Sequence, residues 1–338
     1  VWTADATDAT SQPLRLTPRA SRRMATRAAA VGYCTSPTPL AKLLSSFAAR
    51  RKIYKGDGSP VHSTYKALIT PDWMQGRTTY GGLSAALCLE GARRTLSDEG
   101  TLDLPPLRSA LLNFVDAAGG AVEIDASIVR RGQAMSTVTS SVFSEGKEGR
   151  ACATSGTFVF GAPRLQSKVE ATRLMTPPPA TLPPPAECES IFAASFEPPG
   201  PTVLFPPTFT QHTTSLLASG PGLATAASSG DLYVWVRWKG ADAGGGVGED
   251  VSPDVSLLAL ADVIPPASYA LFDSVAPVSS MTWQINFLDP QPVSFEGGYW
   301  LIRTRAEHAR HGYSSQDMEL WGAGGIAAVS RQSVAIYA

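Results

Sequence analysis

The chain has 338 residues, 43% of them hydrophobic and 17% charged, with a formal net charge of −1. That length allows about two domains and a core that needs neither metal nor disulfide staples. A near-neutral balance gives no general attraction to nucleic acid, and no apolar run reaches the roughly 18 residues of a membrane-spanning helix.

The chain opens on a segment of unusual composition. From Ala9 to Gly56 it carries no Asp or Glu, while Arg15, Arg19, Arg22, Arg23, Arg27, Lys42, Arg50, Arg51, Lys52 and Lys55 stand among Ala, Ser and Thr. Basic, hydroxyl-rich and acid-free is the composition of an organelle transit peptide; a disordered extension is the bland alternative. Both readings place residues 1–52 outside the fold, and they leave the compartment as cytoplasmic or mitochondrial. Cys34, Cys88, Cys152 and Cys188 are scattered, with no CxxC pair and no His at ligand spacing. No metal, no cofactor and no disulfide framework is expected, and a reducing compartment fits.

Next comes a first ordered block, 53–162. Gly81-Gly82 opens a run from Leu83 to Leu96 rich in Ala and Leu, which predicts a helix buried nearly all round. Strand-like stretches follow at Arg108–Asp116, Ala121–Arg130, Ser136–Phe143 and Ala151–Phe160, separated by glycine-bearing turns. Residues 163–229 read as a linker: Pro163 to Pro207 contains four proline clusters, a density that excludes regular helix or central strand. Gly244-Gly245-Gly246 marks a flexible loop inside the second block.

The block 230–338 repeats the first. An apolar helix, Val255 to Val263, is stopped by Pro265-Pro266, and strands follow at Ser280–Leu288, Tyr299–Glu307, Ser314–Leu320 and Ile326–Tyr337. Ser109-Ala-Leu-Leu-Asn-Phe-Val-Asp116 resembles Thr282-Trp-Gln-Ile-Asn-Phe-Leu-Asp289 at constant offset, each on the first strand after its helix. Two tandem helix-plus-antiparallel-sheet repeats make an α+β chain, with the two sheets expected to pair side by side.

The standard catalytic motifs are missing: there is no GxSxG and no GxxxxGK[ST], and no His precedes a hydrophobic helix. Three positions stand out instead. Asp262 is a carboxylate in an apolar run, where burial would raise its basicity and suit it to act as a base or to orient a water; an Asp on the solvent edge of the last turn is the alternative. Gln332 shares a strand face with Val334 and Ile336, and a neutral amide there can hold a water without adding charge. Ser280 and Thr282 share one face of their strand, opposite Met281, Trp283, Ile285 and Phe287. Strict alternation does not bring that face to Asp262; a bulge or an inter-domain groove would be needed.

Taken together, Thr79-Tyr-Gly-Gly82, Val129-Arg-Arg-Gly132, Trp235-Val-Arg237, Leu257 to Asp262, Ser279-Ser-Met-Thr-Trp283, His311-Gly-Tyr-Ser-Ser315 and Arg331-Gln332 resemble, in that order, the TesB-like acyl-CoA thioesterases. The resemblance covers both blocks and not the first 50 residues. It implies a double hotdog fold, an acyl-CoA substrate and a site of Asp262, a hydroxyl and Gln332 that holds the attacking water. The hydroxyl falls on Ser280, where the family has Thr or Ser, with Thr282 as the other option. Backbone N–H donors for the thioester oxygen are expected at a helix start near Gly82, so Gly82 and Thr282 are the substrate-side candidates. Arg130, Arg131 and Arg237 are candidates for the CoA phosphates. A catalytically silent acyl-binding or scaffold protein is the alternative from another class. The fused repeat already supplies the hotdog pair, and association into a homo-oligomer is compatible with it.

Overall fold

The computed structural model describes residues 37–337 apart from 57–59, 98–103, 147–148, 170–177, 179–180, 194–204, 241–246 and 248–249. The triple-glycine loop and most of the acid-free segment therefore lie outside the described residues.

The first half contains α1 (Leu40–Ser45), β1 (Ala48–Tyr54), β2 (Pro60–Ile69), a small hairpin of β3 (Met74–Gln75) and β4 (Thr78–Thr79), and α2 (Gly81–Leu96). It continues through β5 (Leu107–Phe114), β6 (Gly120–Arg131), β7 (Met135–Gly146) and β8 (Gly149–Gly161). The rest comprises β9 (Glu189–Ser190), β10 (Thr213–Ser219), β11 (Asp231–Trp238), α3 (Pro253–Leu260), β12 (Val278–Phe287), β13 (Trp300–Arg310), β14 (Tyr313–Gly322) and β15 (Gly325–Ile336). Thirteen strands form one sheet in the order β1-β2-β6-β7-β8-β5-β12-β15-β14-β13-β11-β10-β9, and every pairing in it is antiparallel. This is the double hotdog: each half wraps a sheet around one apolar helix, and the halves join edge to edge.

The two central helices are buried because their sequences are apolar nearly all round, with Glu90, Arg93 and Arg94 gathered toward the C-terminal end of α2. Leu83, Ala85, Ala86, Leu87, Cys88, Leu89 and Ala92 of α2 are all inaccessible, as are Val255, Leu258 and Ala259 of α3. Burying each large aliphatic side chain contributes about 1.5–3 kcal/mol. Small residues let the layers approach: a Cβ on Gly91 would sit 2.6 Å from Ile124 Cγ2 on the sheet. The two helices pack against each other as well as against the sheet.

The seam between the halves is made by the two strands that resemble each other. β5 pairs with β12 so that Leu111 faces Gln284, Ser109 faces Asn286 and Asn113 faces Thr282. Leu111 and Gln284 are equivalent in the repeat, so a pseudo-twofold axis passes between them. Both halves also repeat one irregularity. The register shifts between Leu107 and Ser109 on β5, and again between Ser280 and Thr282 on β12.

Three sequence expectations need correction. Residues 40–52, assigned above to the N-terminal extension, form α1 and most of β1. Leu40, Leu43, Leu44 and Phe47 are buried at helical spacing, a pattern that the basic composition obscured. Residues 213–219, assigned to the linker, form β10, whose alternating burial carries the sheet past β11. No proline falls between Pro207 and Pro221, so nothing prevents a strand there. The second helix ends at Leu260 rather than Val263, because Pro265 and Pro266 cannot continue it and restrict the residues before them. Among the described residues, no helix is long and apolar enough to cross a membrane.

Candidate active site

Asp262 occupies the turn between α3 and the proline pair, where the chain leaves the helix and passes the start of α2. The Gly82 N–H of α2 donates to its carboxylate. A Cβ on Gly81 would lie 2.7 Å from Asp262 Oδ2, and one on Gly82 would lie 3.0 Å from Asp262 Cβ and 2.5 Å from the Ala259 carbonyl oxygen. Two glycines are thus what lets the helix of one half close on the carboxylate of the other. The first three N–H groups of a helix have no carbonyl within it to bond, and the helix dipole favours a negative charge beside them. The first return bond in α2 is from Ser84 N to Tyr80 O, at 3.4 Å. Burial pushes the Asp262 carboxyl up to about 6, while the hydrogen bonds from Gln332 and Gly82 oppose that rise.

Gln332 is buried on β15, with 2% of its surface exposed. Its Nε2 donates to Asp262 Oδ1 at 2.9 Å and to Ser280 Oγ at 2.9 Å. One amide therefore ties together the end of α3 and two strands of the sheet. The bulge on β12 makes this reachable. Ser280 pairs with Val334 but Thr282 pairs with Ser333, so one extra residue sits between them and the side-chain alternation changes sides. Ser280 consequently points inward with Trp283, Ile285 and Phe287, whereas Thr282 is exposed. The shared face expected for Ser280 and Thr282 is absent for this reason. The structure brings Asp262, Ser280, Gln332 and Gly82 together and leaves Thr282 on the outer surface.

Two neighbours escaped the sequence reading. Gln316 on β14, opposite Gln332 in register, is also buried, and its Nε2 donates to Gln332 Oε1 at 2.7 Å. The signal that marked Gln332, an amide on an inward strand row, applies equally to Gln316 between Ser314 and Met318. Tyr80 precedes α2, is buried, and donates its hydroxyl to the Ala259 carbonyl at 3.3 Å. Burial and the nearby Asp262 charge both raise its phenol. Its ring stacks on Phe209, at 4.2 Å between centroids, so the proline-rich segment closes over this corner.

In the first half, apolar side chains hold the positions that match two of these polar ones. The shared register sets Leu107 where β12 has Ser280 and Phe158 where β15 has Gln332, and both are buried. The opposite end of the helix pair carries an ion pair instead. Arg93 Nη1 of α2 lies 2.6 Å from Asp254 Oδ2 of α3, and burial raises the Asp254 carboxyl against the pull of Arg93. Arg131 donates to Leu96 O, at that same far end of α2; a 16-residue helix puts it about 24 Å from Gly82. Arg237 lies over the Tyr299 ring and donates to Gly297 O at 3.2 Å. His212 is held by Asp72 Oδ2 at 3.2 Å and stacks on Trp73, and burial lowers it to about 4. Among the described residues, no group of His, Cys, Asp and Glu is arranged to hold a metal.

Comparison with known proteins identifies the family. Residues 69–161 match the family model of the acyl-CoA thioesterase N-terminal domain, and residues 185–336 match that of the C-terminal domain. No curated protein sequence matches. Solved structures with the same fold include a hotdog protein of unknown function from Alicyclobacillus acidocaldarius, with TM-score 0.61, 22% identity, and coverage of 85% of this chain and 96% of that one. The tesB protein of Mycobacterium avium subsp. paratuberculosis aligns with TM-score 0.62 and 12% identity over 88% of this chain and 100% of its own. The acyl-CoA thioesterase II TesB2 of Mycobacterium marinum aligns with TM-score 0.55 and 15% identity over 81% and 92%. At such identities these likenesses speak for the fold, whereas the two domain matches, in order and together spanning well over half of the chain, speak for descent. The chain belongs to the acyl-CoA thioesterase family, the double hotdog thioester hydrolases.

Proposed function

We propose that the protein hydrolyses acyl-CoA to free acid and CoA by direct attack of a water held among Asp262, Ser280 and Gln332. The observation that carries this reading is the Gln332 amide, which bridges Asp262 Oδ1 and Ser280 Oγ at 2.9 Å each. In the proposed step Asp262 takes a proton from the water as its oxygen bonds to the thioester carbon. The tetrahedral intermediate then expels the CoA sulfur, breaking the C–S bond, and Asp262 returns the proton to the thiolate. A carboxyl near 6 is ionised at neutral pH yet basic enough to accept a proton. Helix N–H groups beside Gly82 stabilise the developing oxyanion. No acyl-enzyme and no cofactor is involved.

The silent-scaffold alternative is disfavoured by the first half, where Leu107 and Phe158 occupy the matching positions. The fold is satisfied by apolar side chains there, so packing alone does not account for the polar group in the second half. Release of free thiol from a panel of acyl-CoAs of increasing chain length tests the activity. A single turnover in H2(18)O tests the route: direct attack delivers the heavy oxygen to the acid in the first turnover. An acyl-aspartate intermediate opened by water at the Asp262 carbonyl would instead leave unlabelled acid and a labelled protein.

A further inference from the structure

We infer that Gln316 is a positioning residue that fixes which end of the Gln332 amide faces Asp262 and Ser280. The inference rests on the water-holding reading proposed above. A glutamine amide has a donor end and an acceptor end of nearly equal size, so a buried one can sit either way round unless its partners decide. Only one orientation suits this site. With Nε2 toward Asp262, the amide donates to the carboxylate; reversed, its oxygen would face the carboxylate oxygens and repel them.

The structure contains a chain of hydrogen bonds that removes the choice. The Ala267 backbone N–H can only donate, and it donates to Gln316 Oε1 at 2.8 Å. That leaves Gln316 Nε2 pointing at Gln332, where it donates to Oε1 at 2.7 Å. Gln332 Nε2 is then directed to Asp262 Oδ1 and Ser280 Oγ. Polarity thus runs from a backbone group that cannot reverse, through two amides, to the carboxylate. Gln316 and Gln332 are each 2% exposed, so bulk water does not compete for these bonds. Met318 Sδ, 3.6 Å from Gln316 Nε2, is a weak acceptor that favours the same orientation.

The test compares Gln316→Met, Gln332→Met and the double variant in steady-state acyl-CoA hydrolysis across pH, with thermal unfolding of each protein. Gln316→Met keeps side-chain length but removes both ends of the relay. The expected result is a fall in kcat of about tenfold or more with KM within about twofold. The acid limb of kcat/KM should move to higher pH, because Asp262 loses a donor that holds its carboxyl down. In the Gln332→Met background the same substitution should change kcat by less than about twofold, since its effect passes through Gln332. Multiplicative losses in the double variant, or an unmoved acid limb in Gln316→Met, would overturn the relay. Asp262→Asn is assayed alongside: if it keeps full activity, the water-holding reading itself fails, whatever Gln316 does.

Discussion

The backbone N–H of Gly82, from the first half of the chain, donates to the carboxylate of Asp262, from the second. The contact is close: a Cβ on Gly82 would meet Ala259 O at 2.5 Å, Tyr80 Cε2 at 2.6 Å and Asp262 Cβ at 3.0 Å. Tyr80 is buried and stacked on Phe209, so it has nowhere to move. Gly82→Ala should therefore destabilise the protein by about 1–3 kcal/mol in urea unfolding. It should also lower kcat/KM by about tenfold or more, because the helix start is pushed off the carboxylate. Wild-type stability and rate in this variant would mean that the two halves do not meet this tightly.

The rate should depend on pH through Asp262. In the proposed reaction the base must be ionised, and burial raises the Asp262 carboxyl to about 6. Activity should therefore rise with pH, with kcat/KM half-maximal near pH 6. Asp254, whose carboxyl faces Arg93 at the other end of the helix pair, has no part in this limb. Asp254→Asn should leave the profile in place, and a shift of the limb in that variant would assign the titration to the wrong carboxylate.

Ser280 and Thr282 separate cleanly. Ser280→Ala removes the hydroxyl that accepts from Gln332 and should cost about tenfold in kcat. Thr282 is exposed on the outer face, so Thr282→Ala should change kcat by less than about twofold. The reverse ranking would place the bulge, and with it the site hydroxyl, one residue out of register.

Stability should carry the mark of the same carboxylate, with a definite sign. The Asp262 carboxyl titrates at about 6 when folded, against an ordinary value of 3.8. Between about pH 4 and pH 6 the folded state binds the proton more tightly than the unfolded state does. Folding stability is therefore greatest at the acid end of that window and is lost as pH rises through it. The difference amounts to about 2 kcal/mol between pH 4 and pH 7. Asp262→Asn carries no such charge, so urea unfolding should show it gaining on wild type as pH rises. An equal gap at pH 4.5 and pH 7.5 would show that folding does not perturb the carboxylate.

Much of this architecture is legible in the sequence, and the exceptions have physical reasons. The Asn-Phe-x-Asp repeat locates the two strands that turn out to form the seam, because a pseudo-twofold axis at the junction pairs a strand with its own equivalent. Asp262 is visible as a charge in an apolar run. Ser280 cannot be separated from Thr282 by alternation, since a bulge is a property of two paired strands and not of one. Gln316 is missed for a similar reason: its partner, Gln332, lies on a neighbouring strand, and the bond that orients it comes from the Ala267 backbone. In α1, apolar spacing is present in the sequence, but the basic composition around it points elsewhere.

The central claim is that the Asp262 carboxylate activates the hydrolytic water, and the most direct measurement is thiol release from acyl-CoA by wild type and Asp262→Asn at pH 7.5. Asparagine keeps the shape and can still accept from Gln332, so the variant should fold. The account predicts a fall in kcat of at least about 100-fold with unfolding as cooperative as in wild type. A folded Asp262→Asn protein that releases thiol at the wild-type rate would contradict it.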